Sequence, residues 1–375
     1  MPGLKGKGPY TARQNLGSKI WLLLYGRFSE KLRMTPQTEA ESAWLVAKIA
    51  GRLRVGIADV ERLCAAQNCD EDAAYGILAG RIDDCLAELS SLGVWGEANR
   101  LWSSLVWNAC EASLARGWLQ NRARTKPRGY AGDYELLRWI YERRVSGDPL
   151  GRLFDRYFQS QAAPQAVRNR MAMMSDWIVE SAASREAAQD RRPLTVAFVG
   201  SAVGLEIRDA CSHISAHQRQ ALKVVLIDVD PEAVEFARRQ LRGVLDETQV
   251  AGMATNLFRL PERPNSAIEL SDCDLLFFPG LFDYLSDAAA VRMLSSLYRR
   301  LAPGGRLVVF QFAPHNPTRA YMEWFGNWYL TYRGDAEFQR LIESAHLPDA
   351  AIAFGTESLG IDLFAAIAKP QLPGS

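Results

Sequence analysis

Beginning at residue 194, short β-rich runs alternate with amphipathic helical segments, and this alternation limits the fold more than any other feature of the chain. LTVAFVG (194–200), KVVLIDVD (223–230), DLLFFPG (274–280) and RLVVFQF (306–312) each read as a short buried strand. PEAVEFARRQL (231–241) carries proline at a first helical position, and a second helix is expected over 287–301, stopped by Pro303-Gly304-Gly305. Strands separated by helices pair in parallel, with helices covering both faces of the sheet. AAIAFG (350–355) and DLFAAIA (362–368) are separated only by a short polar turn, which predicts an antiparallel hairpin at the sheet's end.

Upstream the pattern changes. Apolar residues recur at helical spacing over 39–53, 70–92 and 95–119, and no segment there alternates with a strand's period of two. A polar, basic stretch at 120–126 breaks the pattern. KPRGYAGDYELL (126–137) then combines turn glycines Gly129 and Gly132 with an acid, Asp133, placed to cap the next helix. More helix follows to about residue 187. A chain of 375 residues exceeds one hydrophobic core. The expected organisation is a helical domain over 1–125, a helical cap over 126–190, and a doubly wound α/β domain over 191–375.

Composition excludes several function classes. The formal net charge of +1 creates no field suited to nucleic acid or an anionic membrane. The six cysteines contain no CxxC pair, so neither a disulfide framework nor a metal site is expected. The apolar run at 20–25 is too short to span a bilayer, and no cleavable leader pattern surrounds it, which predicts a cytoplasmic protein without a membrane span. Ten tryptophans suit a helical cap over a small-molecule site, although most are expected to be core. No signal fixes the oligomeric state.

The chemistry-bearing motifs gather at the predicted carboxyl ends of strands, where open α/β sheets bind ligands. FVGSAVGLE (198–206) places Gly200 and Gly204 at the first and last glycines of a GxGxG loop, with Ser201 between them. The GxGxxG spacing of dinucleotide sites is absent, and a loop for S-adenosylmethionine (SAM) fits better. Two departures stand out: Phe198 stands where an acid is usual, and Ala202 replaces the middle glycine. Asp228, ending the second strand, is spaced to accept both hydroxyls of a ribose, leaving Asp230 to cap the helix at Pro231. In MATNL (253–257), Asn256 is the candidate partner for an adenine amine, with loop capping as its alternative. PGLFDYLSD (279–287) follows a strand and brings Gly280 to the same edge. In the stretch 312–333, Tyr321, Trp324 and Trp328 recur at near-helical spacing, which makes the tryptophans a core stripe. Asn316 and Tyr321 have polar tips suited to a substrate. His315, in the loop after a strand, is the candidate general base, with a solvent role as its alternative.

The second half thus resembles class I SAM-dependent methyltransferases. KPRGYAGDYE, AVRNR, PGLFDYLSD, LAPGGRLVV and the 312–333 stretch are similar to one bacterial family, the extracellular-factor methyltransferases linked to hydroxypalmitic acid methyl ester synthesis. The resemblance covers residues 126–375. It implies a Rossmann-like sheet, SAM as cofactor, and a pocket formed by Gly200, Gly204, Asp228 and Asn256. It further implies that Tyr130, Asp133 and Arg128 reach the active site.

These expectations converge on methylation of a small molecule, a hydroxy or carboxylic acid. Arg128 or Arg319 is expected to hold a carboxylate, Tyr130 or Tyr321 to orient it, and His315 to accept a proton from a hydroxyl nucleophile. Two alternatives remain at this level. One is a SAM lyase or cyclase that releases methylthioadenosine, with cap aromatics stabilising the sulfonium. The other is a non-catalytic SAM-binding or partner protein.

Overall fold

The computed structural model describes residues 36–66, 69–200, 203–262 and 270–371. Ser201 and Ala202 of the glycine loop, and the apolar run at 20–25, lie outside the described residues. The chain divides into two compact units, one comprising residues 1–136, 145–158 and 320–329, the other 137–144, 159–319 and 330–375.

The first unit is helical. α1 (Pro36–Cys64) packs on α2 (Glu71–Ser90) and on α3 (Arg100–Leu114). Asp70 caps α2 by accepting the Asp72 and Ala73 N–H groups at 3.0 and 3.1 Å. The helix expected over 95–119 is interrupted at Gly117, and the basic stretch at 120–126 is itself helical, as α4 (Trp118–Thr125). The cause is tertiary. The buried Asp155 carboxylate takes the Trp118, Leu119 and Ser146 N–H groups at 3.2, 2.9 and 2.8 Å, giving α4 the N-cap its own sequence lacks. Arg122 pairs with Asp133 and Glu135, and Arg124 donates to Ser103, so the basic residues of α4 are matched within the unit. Further along the chain, α5 (Tyr134–Tyr141), α6 (Pro149–Ser160) and α7 (Ala162–Ala187) complete the helical run expected up to residue 187.

The second unit holds a seven-stranded sheet in the order β3-β2-β1-β4-β5-β7-β6. Its strands are β1 (Leu194–Val199), β2 (Leu222–Asp228), β3 (Val250–Ala254), β4 (Cys273–Phe278), β5 (Leu301–Phe312), β6 (Ala351–Thr356) and β7 (Asp362–Ala368). Between β1 and β2 lie α8 (Leu205–His213) and the short α9 (Ala216–Gln220), and α10 (Pro231–Leu241) follows β2. β3, in a segment whose sequence shows no strand signature, pairs in parallel with β2. β1 pairs in parallel with both β2 and β4, so the strand order reverses between β1 and β4. β7 pairs antiparallel with β5 and β6, forming the expected hairpin.

Alternate residues of each central strand feed two cores. Val196 and Phe198 of β1, with Leu275 and Phe277 of β4, enter one core with Met174, Ile178, Ile207 and Ala237 from the helices over that face. Ala197 and Val199, with Leu276 and Phe278, enter the other with Leu294, Leu297 and Phe338. Burial on both faces explains why these strands read as unbroken apolar runs. The helix before β5, α11 (Asp287–Arg299), ends on its own, and Pro303-Gly304-Gly305 lies inside β5 rather than stopping the helix. The register steps from Cys273 opposite Leu301 to Leu275 opposite Arg306, so the triplet forms a bulge. A side chain at Gly305 would meet the Cys273 carbonyl at 2.4 Å, which accounts for the glycine.

Phe198 is fully buried, with its ring centroid 4.9 Å from that of Phe277. Phe198→Ala should destabilise the protein by about 3–5 kcal/mol through the cavity it leaves, measured by urea unfolding.

Candidate functional site

The carboxyl edge of the sheet, beside the β1/β4 reversal, gathers the glycine loop, the β2 tip and a buried set of charges. Gly200 leaves β1 at φ +80° while its N–H donates to the Ile227 carbonyl at 2.9 Å. A side chain at Gly200 or at Gly280 would meet nothing within 4 Å, so both loops border open space. Gly204 has φ +76°, and a Cβ there would lie 3.1 Å from the Ala237 carbonyl oxygen and 3.2 Å from its Cα. This close approach presses the loop onto α10 and starts α8.

Asp228 ends β2 and is buried, its Oδ1 accepting the Asp230 N–H at 2.9 Å. Asp230 caps α10 through the Glu232 N–H, the role expected of it, which leaves the second oxygen of Asp228 outside the helix cap. Beyond β3, the Thr255 N–H donates to the Asp228 carbonyl at 2.7 Å, while the buried Thr255 Oγ1 has no hydrogen-bond partner. Asn256 accepts the Phe258 N–H at 3.0 Å, the loop-capping contact.

Sequence reasoning missed the charged set beside this loop. Arg170, on α7, pairs with Asp362 of β7 at 3.1 Å, and both are buried. Asp283, after β4, accepts the Phe312 N–H at 2.8 Å and the Gln311 amide at 2.7 Å. Glu206, in the first turn of α8, is fully buried and accepts the Gly204 N–H at 3.2 Å. The Glu206 charge acts on Tyr141, and the Arg170 charge acts on Glu206. Burial pushes the carboxyls up, Glu206 to about 7, Asp283 to about 6 and Asp362 to about 8. Burial acts against the Arg170 charge, but Asp362, Tyr141 and Asp283 more than offset it and hold the guanidinium protonated. The cluster is assembled from α7, α8, the β4 loop and β7, so no local pattern announces it. Its one sequence signal is AVRNRM (166–171), a helical run that places an arginine, Arg170, on an otherwise apolar face.

The other expected residues are distributed between the units. In the first, Arg128 donates to the Tyr134 hydroxyl at 2.9 Å and lies over its ring. Tyr130 is half-buried in the Gly129–Gly132 turn. Asp133 is bound to Arg122 and to the Leu136 N–H, the capping contact anticipated for it. Tyr321 is buried, donates to Gln120 at 2.7 Å and packs edge-on to Tyr157. Trp324 is fully buried, as expected of a core stripe. In the second unit, His315 is exposed, with Nε2 2.9 Å from the Gly360 carbonyl. Asn316 is buried and accepts the Thr318 N–H at 2.9 Å, and Arg319 lies over the Tyr332 ring. Among the described residues, no group of His, Cys, Asp and Glu is arranged to hold a metal, and no helix is long and apolar enough to cross a membrane.

No family model and no curated protein matches the chain. A solved structure of a possible exported protein from Bordetella parapertussis is similar at a TM-score of 0.53, with 16% identity over 90% of this chain and 99% of that one. The CurJ carbon methyltransferase aligns at a TM-score of 0.47, with 12% identity over 96% of this chain and 98% of that one. The SAM-dependent methyltransferase SibL aligns at 0.40, with 15% identity over 89% and 99%. The first of these likenesses establishes a shared fold.

The raised carboxyls fix a sign for the pH dependence of stability. Their folded-state pKa values exceed those of the unfolded chain, so the folded state binds more protons between about pH 4 and about pH 8. Their contribution is complete below that window and is lost as pH rises through it. These carboxyls should therefore lower the melting temperature of the unliganded protein as pH rises from about 5.5 to about 8.5. Glu206→Gln should remove the Glu206 part of that fall, read as a smaller drop in the variant than in the unsubstituted protein over the same range.

Proposed function

We propose that the protein is a SAM-dependent methyltransferase acting on a small hydroxy or carboxylic acid. The observation that carries this reading is the arrangement at the β1/β4 reversal. There Gly200, left-handed with open space on its Cβ side, and Gly204, left-handed and packed close to Ala237, flank the turn after β1, beside a buried aspartate at the tip of β2. The donor set suits a nucleoside with an amino-acid arm. Asp228 would accept the ribose hydroxyls, Asn256 and Thr255 the adenine edge, and Gly200, Ser201, Gly204 and Gly280 would allow close approach of the backbone.

Bound SAM supplies an activated methyl group on a sulfonium. Transfer from it needs little acid–base chemistry, and alignment of the nucleophile with the methyl carbon and sulfur provides most of the rate. The work of the chain is then to hold, orient and exclude water. On the second unit, Arg319 and Asn316 are the groups for an acceptor carboxylate, and His315 is the group for a hydroxyl proton.

Incubation with SAM and a panel of hydroxy and carboxylic acids should yield S-adenosylhomocysteine and a methylated acid by mass spectrometry. Methylthioadenosine formed without any acceptor would instead identify a lyase or cyclase. Asp228→Ala should weaken SAM binding about ten- to a hundredfold, measured by calorimetry, by removing a charged acceptor of two hydrogen bonds.

A further inference from the structure

The buried charges at the carboxyl edge are incompletely matched, and their unmatched atoms have a definite chemical pattern. Glu206 Oε1 takes the Gly204 N–H, but Glu206 Oε2 is buried without a hydrogen-bond partner. Arg170 gives Nη1 to Asp362, while its Nε and Asp362 Oδ1 are likewise buried without partners. An orphaned carboxylate oxygen in an apolar interior carries a large desolvation cost, which an incoming cationic donor relieves. A guanidinium N–H beside it invites an anion. An acceptor for a cation next to a donor for an anion is the complement of a zwitterionic α-amino acid.

The glycine loop supplies a second, independent reason. Position 198, where such loops usually carry an acid, is occupied by a phenylalanine fully buried against Phe277. That position of β1 therefore offers no carboxylate to a ligand. Among the described residues, the buried acid bonded directly to the loop backbone is Glu206, reached through Gly204.

We propose that Glu206 receives the α-ammonium of bound SAM, replacing the acid absent at position 198, with Arg170 facing the α-carboxylate. This rests on the SAM reading of the site. A purely structural glutamate, favouring the N-terminus of α8, would need only the oxygen already bonded to Gly204. The charged and titratable groups around Glu206 are Arg170 on α7 and Tyr141 on α5, with Asp362 acting through Arg170. With no ligand bound, burial holds the Glu206 carboxyl up to about 7, so it is largely protonated in mildly acidic solution. Capture of an ammonium favours the ionised form, and binding then releases a proton.

The test compares SAM with 5′-methylthioadenosine, which keeps the nucleoside and thioether but lacks the amino-acid arm. Calorimetry on the full chain at about pH 6.5, in two buffers of different ionisation enthalpy, reads affinity and proton release together. For the unsubstituted protein, SAM should bind with release of a substantial fraction of one proton and methylthioadenosine with none. Glu206→Gln keeps the shape and the Gly204 contact through its amide oxygen. It should weaken SAM about ten- to a hundredfold, leave methylthioadenosine within about twofold, and abolish the proton release. Equal loss of both ligands or unchanged SAM affinity in Glu206→Gln overturns the role of Glu206 while leaving the SAM site standing. Failure of the unsubstituted protein to bind either ligand overturns both.

Discussion

β1 is buried on both faces and hydrogen-bonded along both edges, to β2 on one side and β4 on the other. A strand so enclosed offers polar groups to solvent only at its ends. Val196 and Phe198 commit one face to the first core and Ala197 and Val199 the other face to the second, so neither helical layer can shift without opening a cavity. The reversal of strand order next to β1 then leaves a crevice at its carboxyl end, where crossovers depart to opposite faces. Gly200, Gly204 and the Asp228 tip occupy that crevice because the strands deliver them there.

The same geometry explains why charge is stored at this edge. Asp362 opens β7 opposite Phe312, Asp283 follows β4 and takes the Phe312 N–H, and Glu206 lies in the first turn of α8 and takes the Gly204 N–H. Arg170 reaches them from α7, which also packs its Met174 and Ile178 into the core beneath. Three carboxyls therefore lie near one guanidinium, and burial raises the proton affinity of each.

Much of the architecture was legible in the residues. The apolar runs at β1, β2, β4 and β5 announced a sheet buried on both faces, and DVDP announced both a strand-end acid and a helix cap. Other features were hidden for physical reasons. β3, VAGMA, is short, weakly apolar and only partly buried, because it is the edge strand with β2 as its one neighbour in the sheet. The Pro303-Gly304-Gly305 triplet carries the chemistry of a helix stop and was shaped instead by the close approach of the Cys273 carbonyl. The basic run at 120–126 reads as a break, yet it is a helix because distant Asp155 caps it and Asp133 and Glu135 pair with Arg122.

Local sequence was enough for the βα alternation, the hairpin, the turn glycines of the loop and the β2 carboxylate, since each depends on short-range periodicity or on one residue's conformational range. Which buried acids stand beside the glycine loop was settled by long-range packing alone. Glu206, Asp283, Asp362, Arg170 and Tyr141 come from five separate segments. Their proton affinities follow from shared burial and mutual charge, which act through space and leave no mark on spacing along the chain.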